Sequence, residues 1–275
     1  MQNGWFLAAL AAIGVSFAPS LADAADAADI DDVDDAAEVA EPTKATKTAP
    51  DVETSDGRVQ SIGVRYRYVA IPKGIVNLFA DGGDTIDGSH FGLEYATGSE
   101  SFEVVFAAMY GGYSMDPAFI KAKGEIIEGW ELAKIDLSAL HFTSSFLWSS
   151  AFTQSEPRVR FLYGAEVGLG FFFGDIIHTQ VMPADPNSKL DPMQTPWVPC
   201  PAVGAHPYCG DENEHFGDYS EPNWFNGGAK PVFLPWLSFN TGLLFRPSPK
   251  FSARIDAGYN LFNGPFIGAA GHFGI

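Results

Sequence analysis

Cys200 and Cys209 are the only cysteines in the chain, with eight residues between them. In an exported protein such a pair closes a disulfide, and so small a ring contributes roughly 2–3 kcal/mol on the chain-entropy model. The alternative is a metal centre drawing on His206, His215 or Asp211, but the spacing fits no zinc pattern. No metal is therefore expected. The acidic stretch Asp211-Glu212-Asn213-Glu214, followed by Asp218, lacks the spacing of a calcium loop and reads as solvated. Around the cysteines stand Trp197, Tyr208, Phe216, Tyr219 and Trp224, the candidates for contact with a surface ligand. Hydrolytic chemistry has less to offer. His141-Phe142-Thr143-Ser144 is the nearest His–Ser grouping, and His90 and His272 have no serine placed beside them. No Gly-x-Ser-x-Gly, His-Glu-x-x-His or phosphate-binding loop occurs, so no catalytic residue, cofactor or enzymatic activity is expected.

The elements that position these residues begin with an export signal. Residues 1–24 carry an apolar run, Trp5 to Val15, and an Ala22-Asp23-Ala24 cleavage site. Residues 25–57 continue an acidic, aromatic-free stretch: twelve carboxylates and two lysines lie between Asp23 and Asp56. Such a segment cannot bury enough surface to offset its ordering entropy, so a disordered leader is expected. The whole chain of 275 residues has a formal charge of −18, which argues against nucleic acid as a partner. Its 23 phenylalanines argue against disorder from residue 58 onward.

Residues 58–275 alternate apolar and polar side chains with period two, the strand signature. The apolar sets are Ile62–Tyr68, Phe91–Tyr95, Phe102–Tyr110, Ala133–Ala139, Val159–Phe173, Phe239–Phe245, Ala253–Leu261 and Ile267–Ile275, eight strands in all. The opposite face is rich in glycine and alanine, and its charges nearly balance. Arg65, Arg67, Lys134, Arg158, Arg160, Arg246 and Arg254 stand against Glu94, Glu103, Asp136, Glu166 and Asp256. Interior ion pairs in a narrow barrel explain both features. With the apolar set outward and aromatics near the strand ends, the pattern predicts an all-β, eight-stranded antiparallel up-and-down transmembrane barrel. The inverse arrangement, a soluble lipocalin-like carrier, remains an alternative. On the period-two assignment His141 faces lipid, while Trp148 and Trp236 fall on the inward parity.

Turns at 96–101, 150–157 and 246–250 are short; links at 70–89, 111–130 and 174–231 are long, which places a disulfide-stapled loop at the cell surface. The strand Tyr163-Gly164-Ala165-Glu166-Val167-Gly168-Leu169-Gly170 and the closing strand ending Ala269-Ala270-Gly271-His272-Phe273-Gly274-Ile275 carry a resemblance. Over residues 58–275 the chain resembles small eight-stranded outer-membrane β-barrel proteins of the OmpA/OmpX type, with no peptidoglycan-binding domain after the barrel. The resemblance implies a Gram-negative outer-membrane location and partners in outer-membrane lipid and the barrel-insertion machinery. The family usually ends in an aromatic residue read by that machinery, whereas here Ile275 is last and Phe273 stands two residues before it, a departure from the family pattern. The expected role is structural or interactive, through an extracellular or lipid ligand. A small pore and a lipid A-modifying enzyme are the rival functions.

Overall fold

A computed structural model describes residues 59–152, 158–210, 217–248 and 250–275. The signal and leader expected over 1–57 lie outside the described residues, as do Phe216 and the acids at 211–214. The barrel strands are β1 (Val59–Ile71), β3 (Ile86–Gly98), β4 (Phe102–Ala122), β5 (Glu131–Ala151), β6 (Val159–Pro183), β9 (Phe233–Ser248), β10 (Phe251–Asn260) and β11 (Gly264–Gly274). Three short strands supplement them: β2 (Ala80–Gly82), β7 (Trp197–Pro199) and β8 (Asp218–Ser220). Each barrel strand pairs antiparallel with its neighbour, and β1 pairs with β11, so the sheet closes on itself. Closure removes the open edge that a sheet otherwise presents.

The outward face is apolar. Ile62, Val64, Phe91, Leu93, Phe106, Phe142, Val167, Leu169, Leu243, Ile255 and Ile267 are all exposed on it. Aromatic side chains bound this belt at both ends. Toward the short turns, Phe102, Trp148, Tyr163 and Phe161 form a continuous row with ring centres 5.1–6.2 Å apart. Toward the long links, the Tyr66 hydroxyl pairs with Ser89 at 3.3 Å and that of Tyr110 donates to Ser138 at 3.2 Å. The Tyr68 hydroxyl likewise donates to Asp87. From Phe102 to Tyr110 the strand rises about 26 Å, or roughly 20 Å along the normal at a tilt near 40°. With the aromatic rows themselves added at both ends, that approaches the apolar band of about 25 Å of a transmembrane barrel. The lipocalin-like arrangement is thereby reversed, since here the charges are inside and the aromatics outside.

The interior is filled in three layers. At mid-height Arg65, Arg67 and Arg254 interlock with Glu94, Glu166 and Asp256, all buried. Arg65 meets Asp256 at 2.9 Å and Glu166 at 3.1 Å, Arg67 meets Glu166 at 2.6 Å, and Arg254 meets Glu94 at 2.9 Å. Three cations thus face three carboxylates, which is how buried charge is tolerated. Toward the short turns, Ala96, Val105, Leu147, Leu162 and Leu244 form an apolar plug. Toward the long links, Val69, Tyr113, Leu137, Phe172, Trp236 and Phe266 pack together. Glycines make room for these side chains: a Cβ on Gly63 would sit 2.5 Å from the His272 ring, and one on Gly170 2.5 Å from His141 Nδ1. With apolar layers on both sides of the ion network, no discrete conductance steps are expected from the protein in a planar bilayer. Regular unitary steps would contradict the plug.

The structure corrects several expectations. In β5 the faces are the reverse of the sequence assignment. Ala133, Leu137 and Ala139 point inward with His141, while Lys134 and Asp136 are exposed and belong to no interior network. They lie where β5 continues past the outward tyrosines, so their outward face meets water rather than lipid. The reversal places Trp148 in the outward aromatic row without a bulge. Trp236, by contrast, keeps the inward parity expected of it and is buried. Arg158 is exposed in the turn before β6. Arg160 reaches the Ser149 hydroxyl at 2.9 Å, and Arg246 pairs with Glu103 near the short-turn end. The links at 111–130 and 174–231 are shorter than expected, because β4, β5 and β6 extend their ladders to Ile120↔Glu131 and Glu131↔Gln180. The Asp116-Pro117 pair, which breaks the pattern in sequence, sits at a register shift between Met115 and Ala118.

Candidate functional site

The extended parts of β4, β5 and β6 stand as a wall above one side of the barrel, while β10 and β11 end at a tight turn. Both edges of the wall are covered. β2 pairs with the end of β4, whereas β8 and β7 pair successively with β6 at Ile177–Thr179 and Val181–Pro183. Short covering strands of this kind prevent edge-to-edge association.

The described residues of the link at 184–232 pack back onto this wall as a cap. Trp197 enters a cluster with Trp130 and Val181, against which Phe119, Ile127, Leu132 and Tyr208 pack. Its indole N–H donates to the Leu190 carbonyl at 3.1 Å, and its ring stacks on Tyr208 at 5.6 Å. Cys200 and Cys209 are disulfide-bonded, and the Cys200 N–H donates to the Gln180 carbonyl at 3.0 Å, fixing the stapled ring against β6. At the other end of the cap the Trp224 indole donates to the Ala229 carbonyl at 3.0 Å, and Tyr219 lies in β8. The Ser220 hydroxyl donates to Asp175 at 2.6 Å, and this bond, aided by Lys230, holds the Asp175 carboxyl below the usual carboxylate range. Trp197 and Tyr208 thus build the cap rather than stand open to a ligand. Among the described residues the exposed apolar groups of the cap are Leu190, Met193, Val198, Val203 and Phe225, of which the first four sit in no periodic or aromatic pattern that sequence reading follows.

Between the cap and the β2–β4 tip lies a cleft of about 660 Å³. Lys121, Lys123, Lys189, Asp81, Glu125 and Asp191 line it, with Asn77 and Gln194 amides and the apolar groups of Ile127, Leu190 and Met193. Lys121 is committed: it reaches Asp81 at 3.1 Å and the Glu125 carbonyl at 2.9 Å, and lies over the Trp130 ring. Lys123 and Lys189 have no ion-pair partner among the described residues, so two ammonium groups stand free at the cleft. The remaining candidates do not assemble a catalytic group. His141 is buried inside the barrel, whereas Ser144 lies on the outward face of the same strand. His272 lies 2.6 Å from Glu94, within the ion network.

Replacing Cys200 and Cys209 by serine is expected to loosen the cap by roughly 2–3 kcal/mol while leaving the barrel closed. Limited proteolysis reads this directly: cleavage within 184–210 accelerates, and the unboiled gel mobility of the barrel does not change. Loss of the folded band would show that the staple supports the barrel itself.

No family model matches the chain, and no curated protein does. Among solved structures it is similar to Neisserial surface protein A, at 12% identity over 80% of this chain and 100% of that one, with a TM-score of 0.39. It is also similar to Ail, the attachment invasion locus protein of Yersinia pestis, solved with the heparin analogue sucrose octasulfate. There the identity is 12% over 79% of this chain and 95% of that one, with a TM-score of 0.29. A third likeness is to the translocator domain of the autotransporter NalP from Neisseria meningitidis, at 9% identity over 81% and 88% of the two chains, with a TM-score of 0.18. The ring speaks for itself: eight antiparallel strands closed head to tail, an apolar belt between aromatic rows and a charged interior are the architecture of a small eight-stranded outer-membrane β-barrel.

Proposed function

We propose that this protein is an exported outer-membrane barrel of a Gram-negative cell whose role is contact at the cell surface through the disulfide-stapled cap. Residues 1–24 act as the export signal and 25–57 as a periplasmic leader. The short turns then face the periplasm and the wall and cap face outward, with outer-membrane lipid around the belt and the insertion machinery acting on the closing strand. The observation that carries this reading is the cap itself. A link of that length is commonly functional or disordered; this one packs through Trp197 on Trp130 and Val181, is bonded through Cys200–Cys209 and is paired to β6 at two places by β7 and β8. A preordered surface forfeits little conformational entropy on binding.

The cleft beneath the cap suggests the ligand chemistry. The ammonium groups of Lys123 and Lys189, set among the Glu125 and Asp191 carboxylates, with the Asn77 amide and an apolar floor, suit a polar extracellular ligand that carries an anionic group, such as an acidic saccharide or a lipid headgroup. The test uses cells displaying the full chain, a K123Q/K189Q variant and a chain with 186–210 replaced by a short linker, applied to an array of acidic saccharides and headgroups. Wild-type binding should weaken at high salt, because exposed charges are screened, and should fall at least about tenfold in K123Q/K189Q. Equal binding by all three, with the folded gel band retained, would remove the cap and cleft from any contact role.

A further inference from the structure

Between the ion network and the long-link end, the barrel interior holds polar side chains with no hydrogen-bond partner among the described residues. Neither ring nitrogen of His90 or of His141 is bonded, nor is the Trp236 indole N–H or the Tyr113 hydroxyl. All four side chains are buried, the two histidines at 1% and 0% exposure. The large majority of buried side-chain polar atoms in native proteins have a partner, so each one without calls for an explanation such as a bound ion, and a neutral imidazole is the commonest metal ligand.

The placement of the rings fits a shared ion. Their centres lie 4.9 Å apart with planes at 84°. Two imidazoles that each bring one nitrogen to about 2.0–2.1 Å from a common metal have centres roughly 5 Å apart when they meet at a near-tetrahedral angle. A third donor stands between their strands. Met109, 1% exposed, lies directly opposite His141 in the β4–β5 ladder. His90 faces Gly111, two residues along β4 from Met109, which makes Met109 and His90 diagonal cross-strand neighbours. The absence of a side chain at Gly111 is used, since a Cβ there would fall 2.5 Å from His90 Cδ2.

Charge selects the ion. Among the described residues no carboxylate belongs to this layer: Glu166 is already held by Arg65 and Arg67, and the Arg67 guanidinium lies 5.2 Å over the Trp236 ring. Neutral donors beside a cation make a dication costly in a low-dielectric interior. A monocation that prefers imidazole and thioether donors is copper(I). We propose that His90, His141 and Met109 bind a single copper(I) ion inside the barrel, independently of any ligand at the cap.

The experiment titrates the purified full chain, folded in detergent, with copper(I) against a chromophoric copper(I) chelator. One equivalent should be retained, with nitrogen and one sulfur in the X-ray absorption shell. H90Q/H141Q should lower the affinity at least about tenfold, and Y113F should leave it unchanged. M109L conserves volume and should fold; it decides the assignment should H90Q/H141Q yield no folded band, because the sulfur shell must disappear. Retention of copper no stronger than in H90Q/H141Q, a sulfur shell that survives M109L, loss of binding in Y113F, or ready displacement of copper by zinc(II) would each overturn the site.

Discussion

Replacing Glu166 by glutamine should destabilise the barrel by about 3–5 kcal/mol, more than any other single change to its ion network. The Glu166 carboxylate accepts from Arg67 at 2.6 and 3.0 Å, from Arg65 at 3.1 Å and from the Ser145 hydroxyl at 2.6 Å, all in a fully buried site. Glutamine preserves the shape and one acceptor oxygen but removes the charge. Arg65 keeps Asp256 at 2.9 Å. Arg67, fully buried, has Glu166 as its only carboxylate among the described residues and is left uncompensated at the level of the bilayer. The temperature at which the unboiled gel band converts to the unfolded one should therefore drop sharply in E166Q. D256N should cost less, since Arg65 and Arg254 retain Glu166 and Glu94. Removing both charges in E166L/R67M should recover part of the loss, because apolar replacement of a buried pair is often neutral or better. K134A and D136A should change stability by less than about 0.5 kcal/mol, as exposed positions do. If E166Q converts at the wild-type temperature, the network is not holding the barrel together.

That comparison also marks what was legible in the sequence. Arg65, Arg67, Glu94, Glu166, Arg254 and Asp256 sit in strands whose alternate positions are large and apolar, so parity alone places their charges inside. In β5 the same reasoning misassigned both faces. The run Ala133 to Ala139 contains small and medium apolar residues on one parity and charges on the other, but it lies above the belt, where an outward lysine costs nothing. Parity reports burial only where lipid or core enforces it. The strand extensions were hidden for the same reason, and by Gly111-Gly112 and Asp116-Pro117, which read as turn residues although the ladder passes through them. The disulfide was visible because only one pairing existed. The cap's core was not: Trp130, Trp197 and Val181 come from three distant segments, and nothing local to any of them signals that they meet. The pairing of His90 with His141 was hidden because the period-two assignment of β5 turned His141 toward lipid, whereas the strand presents it to the interior beside His90.

Placing an arginine at Val167 should sharply lower the yield of inserted barrel, whereas the same residue at Phe225 should be tolerated. Val167 is exposed on β6 midway between Phe161 in one aromatic row and Phe173 near the other, and its inward neighbours are Glu166 and Gly168. If the surface around it is hydrocarbon, a guanidinium there costs about 2–4 kcal/mol, and less near either interface. Phe225 is more exposed, at 77%, yet lies in the cap beyond the belt, where charge meets water. The discriminating quantity is the ratio of folded to unfolded band in the outer-membrane fraction for V167R and F225R. A soluble barrel predicts the opposite order, since charge on a water-facing strand is harmless and breaks up an apolar patch that would otherwise drive association. Two exposed residues with opposite responses would identify hydrocarbon as the solvent of the belt and water as that of the cap.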